Sequence, residues 1–248
     1  MIIYYSSTGN SKHVALKLHE AFKGDIIDVC DFEQPSSFYL ADGETLFLVT
    51  FNCFWGISNK IETFIRNSEF RNVKKIVAII TCGGYLGGGD DLIEKLFLEK
   101  GLPKPVVYSL IMVTNYSILH NVPSFEAQKR KLLRAEKTLD RIIEGIQRPY
   151  HSNGLICKIT PKIHDQYEQV RTTVPFHANN SCIGCGICMK NCPVHAIEMI
   201  GNKPSWVQPK CDHCLRCLHR CPAEAINYGT TTQNRLRYTY EAHNSGHL

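Results

Sequence analysis

The chain reads as a doubly wound α/β domain followed by a small, cysteine-rich α+β domain. Three observations predict this. Over residues 1–146, short apolar runs alternate with amphipathic stretches, the β-α order of a parallel sheet covered on both faces. Eight of the twelve cysteines crowd into residues 176–228. Between these regions, residues 147–175 carry Pro149, Pro161 and Pro175 and no sustained period, as a linker does. Residues 229–248 form a polar tail. A chain of 248 residues with 44% hydrophobic content has material for one full domain and one small one.

Each element follows from its local pattern. Residues 1–5 are apolar and β-prone. Residues 11–22 place Val14, Leu18 and Phe22 four apart, a helical stripe. Residues 25–29 and 45–50 are the second and third strands. Residues 58–67 carry Ile61, Phe64 and Ile65 on one helical face. The unbroken apolar run at 75–81 suits a strand covered on both sides. Residues 90–100 form a helix with Asp90 and Asp91 at its positive end and Gly101 as its stop. Residues 105–113 are a fifth strand. Residues 124–146 form a long helix with Phe125, Leu132, Leu139 and Ile146 on one stripe. Within the linker, 162–170 reads as one short helix, and Ile156, Ile159, Ile163 and Tyr167 offer contacts for draping over the domains. In the tail, Leu236, Tyr238 and Tyr240 suggest an edge strand.

The cysteines form two copies of one phrase. Cys182, Cys185, Cys188 and Cys192 precede Pro193; Cys211, Cys214, Cys217 and Cys221 precede Pro222. Each reads C-x2-C-x2-C-x3-C-P, the iron–sulfur run in which the fourth cysteine ligates the other cluster. The ligand sets expected are therefore Cys182, Cys185, Cys188 and Cys221, and Cys211, Cys214, Cys217 and Cys192. Gly184 and Gly186 fit tight turns beside the first cluster. A shift of about 29 residues also aligns Ala196 with Ala225 and Ile197 with Ile226, which implies two similar halves. Zinc sites use two separated pairs of ligands, and disulfide scaffolds belong to small secreted chains. Residues 176–228 resemble the two-cluster bacterial ferredoxins, and that resemblance implies two [4Fe–4S] clusters.

Ligands of doubly wound sheets bind beyond the carboxyl ends of the strands. After the first strand come Ser6, Ser7, Thr8, Gly9, Asn10 and Ser11, leading into a helix N-terminus where free N–H groups favour a phosphate. The segment is neither a Walker loop nor a G-x-G-x-x-G dinucleotide fingerprint. It resembles the flavodoxin phosphate loop S/T-x-T-G-N-T/S, and the resemblance implies FMN held by uncharged donors. After the third strand, Asn52, Phe54, Trp55 and Gly56 occupy the place where flavodoxins set an aromatic ring on the isoalloxazine, with the Gly56 carbonyl free to turn toward it. After the fourth strand, Gly83 and Gly84 allow close backbone approach and Tyr85 can cover the ring. The whole chain resembles the flavodoxin–ferredoxin fusion proteins.

The remaining thiols, Cys30, Cys53, Cys82 and Cys157, read as small or buried residues, and most of the eleven histidines as surface residues. The formal charge of +5 falls to about −1 once eight ligating thiolates, two oxidised cluster cores and a flavin phosphate are included. With no nucleic-acid motif alongside it, the charge gives no reason to expect DNA or RNA as partner. The longest apolar stretches are too short to span a bilayer. The chain opens on a strand with no export signal in view, so a reducing cytoplasm is expected, and exposed clusters suit an anaerobe. The function expected is electron transfer between FMN, two [4Fe–4S] clusters and a partner redox protein. Two other readings stay open: a flavin-dependent reductase of a small substrate, with Tyr85, Cys53 or Cys82 as proton donors, and a redox sensor.

Overall fold

The computed structural model describes residues 1–31 and 36–245, with side chains to 243. Residues 32–35 of the expected first domain and 246–248 of the expected tail lie outside the described residues. The first part runs β1 (Ile2–Tyr4), α1 (Asn10–Phe22), β2 (Ile26–Asp28), β3 (Ser37–Tyr39), β4 (Thr45–Phe51), α2 (Asn59–Asn67), β5 (Glu69–Arg71), β6 (Lys75–Cys82), α3 (Gly89–Glu99), β7 (Val106–Ile111) and α4 (Phe125–Ile143). Five of these strands make one sheet in the order β2-β1-β4-β6-β7, and every pair in it is parallel. Counted within the sheet this is 2-1-3-4-5, the flavodoxin-like order. The short parallel pair β3 and β5 stands apart from it.

The period-two alternation of strand side chains divides the core into two layers. Ile3, Leu48, Ala78 and Val107 point to one face, where Ile61, Phe64 and Ile65 of α2 and Ile93, Leu96 and Phe97 of α3 cover them. Ile2, Val49, Val77 and Ile79 point to the other, under Val14 and Leu18 of α1 and Leu132, Ala135 and Leu139 of α4. The long stripe on α4 differs at its ends from the expected one. The buried positions are Gln128, Leu132, Ala135, Leu139 and Ile142, whereas Phe125 is 41% and Ile146 60% exposed. A strict seven-residue repeat drifts about 20° per heptad on a straight helix, which takes Phe125 off the core face, and Ile146 lies beyond the helix, which ends at Ile143.

The expected linker holds a full helix, α5 (Gly154–Val170), rather than a short one starting after Pro161. The Asn153 side chain caps it by accepting from the Ile156 N–H at 3.0 Å, and Pro161 is carried inside it. The contacts come from Thr160 and Tyr167, which are buried, whereas Ile159 is exposed.

The cysteine-rich part comprises β8 (Phe176–Ala178), α6 (Ile187–Lys190), β9 (Ile197–Ile200), β10 (Lys203–Trp206), α7 (Arg216–His219) and β11 (Ile226–Tyr228). β8 pairs antiparallel with β11, and β9 with β10. The 29-residue repeat is visible in the backbone: α6 maps onto α7, and left-handed residues recur at Gly184 and His213, Gly186 and Leu215, His195 and Glu224. The tail is not an edge strand. Its described residues include α8 (Tyr240–Ser245), with Tyr238 and Tyr240 packed into the α1–α4 layer. Among the described residues, no helix is long and apolar enough to cross a membrane.

Candidate functional site

The loops beyond the carboxyl ends of β1, β4, β6 and β7 enclose two adjoining cavities. The smaller, about 70 Å³, is lined by Ser6, Ser7, Thr8, Asn10 and Ser11 together with residues of the other three loops. Gly9, at φ 100°, turns the chain into α1, whose first-turn N–H groups have no intrahelical acceptor.

Most side chains of this loop are already engaged. Thr8 Oγ1 accepts from Asn115 Nδ2 at 2.6 Å. Asn10 donates to the Val113 carbonyl at 3.1 Å and accepts from the Tyr238 hydroxyl at 2.6 Å. Ser11 Oγ meets Thr81 Oγ1 at 3.0 Å, and the Ser7 hydroxyl donates to the Cys214 carbonyl. Ser6 Oγ is buried with no hydrogen-bond partner among the described residues. The side chains of Ser7, Thr8, Asn10 and Ser11 thus stitch the loop to its surroundings, whereas Ser6 Oγ is not used in this way.

The larger cavity, about 570 Å³, is lined by Asn52, Phe54, Trp55, Gly83, Gly84 and Tyr85, and by Thr114, Asn115, Tyr116, His213 and Cys214. It shares Phe51, Asn52, Gly83 and 114–116 with the smaller one. Its size lies within the roughly 300–1,000 Å³ of small-molecule sites. Asn52 Nδ2 donates to the Tyr85 carbonyl at 3.0 Å, while its Oδ1 is buried without a partner. Tyr85 meets Trp55 edge to face at 5.7 Å. Phe54 and Trp55 are both left-handed, at φ 48° and 60°, in a tight turn closed by paired hydrogen bonds between Cys53 and Gly56. The Gly56 carbonyl accepts from the Cys53 N–H at 3.0 Å, and Gly56 does not line the cavity; its missing Cβ instead makes room for His164 and Leu92. Burial pushes the Cys53 thiol far up and raises Cys82, so both are neutral, packed thiols.

Cys182, Cys185, Cys188 and Cys221 line one small cavity. Cys188, Cys192, Cys211, Cys217 and Cys221 belong to the core between the two halves, and Cys214, Cys211, Cys192 and Cys188 all lie close enough to Cys217 to raise its pKa, after burial itself. Burial also pushes Cys211 and Cys214 up to about 12. Backbone N–H groups of Ala196, Ala225 and His213 point at the sulfurs of Cys192, Cys221 and Cys211 at 3.2, 3.3 and 3.4 Å. Such contacts tune cluster potential. Among the described residues no three His, Cys, Asp or Glu side chains gather as ligands of one ion; thiolates that each bind a different iron stand farther apart.

Sequence reasoning missed the loop at 114–116, the contribution of the cysteine-rich part to the larger cavity, and the buried histidines. The switch-point rule offered a signal for the first, since β7 ends at the same edge. Nothing local marked the rest. His213, His219 and His243 are buried rather than on the surface. His213 accepts from the Tyr116 hydroxyl at 2.9 Å and donates to the Thr172 carbonyl at 3.1 Å, and burial keeps it neutral by lowering its pKa. Asp212 is buried at the junction. It accepts from the Tyr5 and Tyr167 hydroxyls at 2.6 and 3.0 Å and from the Lys60 N–H at 3.1 Å, so it also caps the N-terminus of α2.

Among curated proteins, none matches this chain. Among solved structures, the rubredoxin oxygen:oxidoreductase from the anaerobe Desulfovibrio gigas is similar at 14% identity and a TM-score of 0.33, over 58% of this chain and 36% of that one. This chain thus spans about a third of that protein's length, and the fold assignment rests on strand order. Residues 175–222 match the family model described as a 4Fe-4S dicluster domain. That match, with the eight cysteines inside it or at its edge, supports a redox role in electron transfer for the chain that carries it.

Proposed function

We propose that this protein relays electrons between FMN and two [4Fe–4S] clusters, and between these and a partner redox protein, as the resemblance to flavodoxin–ferredoxin fusions implies. The observation that carries the reading is the shared cavity: His213 and Cys214 of the second cysteine run line the same space as Asn52, Trp55 and Tyr85.

The residues present fit the cofactor. Ser6 Oγ and the first-turn N–H groups of α1 would hold the phosphate. Asn52 Oδ1 would accept from a ring N–H, and Trp55 and Tyr85 would cover the ring. When bound, FMN exchanges two electrons with a donor and single electrons with a cluster. The polypeptide's part is to keep the centres close and dry. Tyr5, Tyr116 and Tyr167 are held neutral by burial, which raises the pKa of each hydroxyl, so they orient Asp212 and His213 without giving up protons.

The cluster of Cys211, Cys214, Cys217 and Cys192 would be the inner one, beside the flavin. The cluster of Cys182, Cys185, Cys188 and Cys221 would be the outer one, where Cys185 is exposed and Ile183 is 64% exposed for a partner to touch. Anaerobic purification with cofactor analysis tests the reading. One FMN and about eight irons per chain, with flavin and clusters reduced in turn during a titration, are expected. Eight irons with no flavin retained or taken up would sink it.

A further inference from the structure

The phosphate loop and the inner cysteine run are bound to each other more closely than two independent domains would be. The strongest tie is Arg216, which sits between Cys214 and Cys217. Its guanidinium donates to the Ser6 carbonyl, to Cys30 Sγ at 3.2 Å and to the Asn191 carbonyl, next to Cys192, at 3.4 Å. It also lies 6.0 Å from the Tyr5 ring centre. One planar fork thus touches the phosphate loop and both chain segments that supply the inner cysteines. Around it, the Ser7 hydroxyl donates to the Cys214 carbonyl, and Arg220 Nε donates to the Ser7 carbonyl at 3.3 Å. The contacts to carbonyls fix peptide planes, and fixed planes decide where the next N–H groups point.

We infer that Arg216 is a positioning residue that couples the two cofactor sites: assembly of the inner cluster shapes the phosphate loop, and FMN and that cluster each favour binding of the other. This deepens the FMN reading and rests on it. Arginine suits the role because it is charged at every ordinary pH and presents several donors in one rigid plane. Coupling of this kind is reciprocal, so loss of either cofactor weakens the hold on the other by the same factor. Among the described residues, the hydrogen bonds of Arg216 go to carbonyls and a thiol.

The test compares FMN dissociation constants, by fluorescence quenching under anaerobic conditions, for the full chain with clusters and after removal of iron by chelation. In the native protein, iron removal is expected to weaken FMN binding about tenfold, the equivalent of one charge-assisted hydrogen bond. In Arg216→Gln the ratio is expected to fall below about threefold, because the bridge is missing in both states. Ser7→Ala, which removes a second tie and leaves every cysteine in place, is expected to lower the ratio as well. A residue with a merely structural role would weaken binding equally with and without iron and leave the ratio unchanged; that result overturns the inference. Equal FMN affinity for native protein with and without clusters also overturns it. Failure of the native, cluster-loaded protein to bind FMN at all would instead sink the FMN reading.

Discussion

Ser6 carries the sharpest single-residue expectation. Its hydroxyl is buried and has no partner among the described residues, so removing it costs the protein itself nothing in hydrogen bonds. Ser6→Ala should leave the thermal midpoint of the FMN-free protein unchanged while weakening FMN binding about tenfold, the scale of one hydrogen bond to a charged acceptor. A melt and a fluorescence titration of the same sample separate the two; unchanged affinity would show that phosphate does not reach this hydroxyl. Gly9 is the opposite case. A Cβ there would stand 2.6 Å from Glu241 Oε2 and 2.8 Å from Tyr240 Cβ, on backbone at φ 100°. Gly9→Ala should destabilise the protein by roughly 1–3 kcal/mol and loosen the tail, seen as faster hydrogen exchange at the Tyr240 N–H, which now donates to the Thr8 carbonyl. The motif in the sequence identified this loop but not the duties within it. Asn10 and Ser11 look like ligand donors in a line of text, and only tertiary contacts with Val113, Tyr238 and Thr81 show them spent on the fold.

Elements were the most legible level. The five-stranded parallel sheet followed from alternation, because a parallel strand covered on both faces must read as an apolar run, and 75–81 does. Ends and exceptions followed less well. Pro161 reads as a boundary, yet α5 runs through it because the Asn153 cap and the buried Thr160 and Tyr167 hold both halves in one line. The turn at Phe54 and Trp55 was invisible, since left-handed backbone belongs to glycine or asparagine by preference. Each non-glycine residue held there costs about 1 kcal/mol, and such strain persists where a site requires it. Trp55→Gly is therefore expected to change stability little, strain relief offsetting lost contact with Tyr85, while FMN affinity drops; equal affinity would mean the ring does not meet the cofactor. Between α1 and α4, His13 hydrogen-bonds Glu136 and holds its carboxyl below the ordinary value of 4.5. A lowered native pKa gives stability that is present above 4.5 and lost as pH falls through the lowered value. Urea unfolding of Glu136→Gln should thus fall short of the native protein at pH 6 and approach it progressively as pH falls below 4.5; a gap independent of pH would assign the effect to packing.

At the scale of the molecule, the repeat was legible and the docking was not. Two cysteine phrases 29 residues apart announce two clusters, but no local pattern tells which one faces the loops of the first domain. Chain order points to the first run, which follows the expected linker, whereas packing puts His213 and Cys214 of the second at the cavity. The second half also holds His213 and Leu215 where the first has Gly184 and Gly186. His213 bears the conformational cost of φ 47° while hydrogen-bonding Tyr116, and Leu215 is buried in the cluster core. The half that lies against the other domain uses side chains; the half that faces outward uses glycine. That asymmetry predicts an order of electron flow. With the outer run disabled by Cys185→Ala, photoreduction of the flavin should still reduce one cluster, read as one EPR signal, because the inner ligands and their path to the cavity are intact. Delivery to an external acceptor should fall at least tenfold, since Cys185 and Ile183 expose the outer cluster's edge. If Cys185→Ala instead stops the flavin from reducing any cluster, the outer cluster is the flavin's neighbour and the inward reading of the second run is wrong.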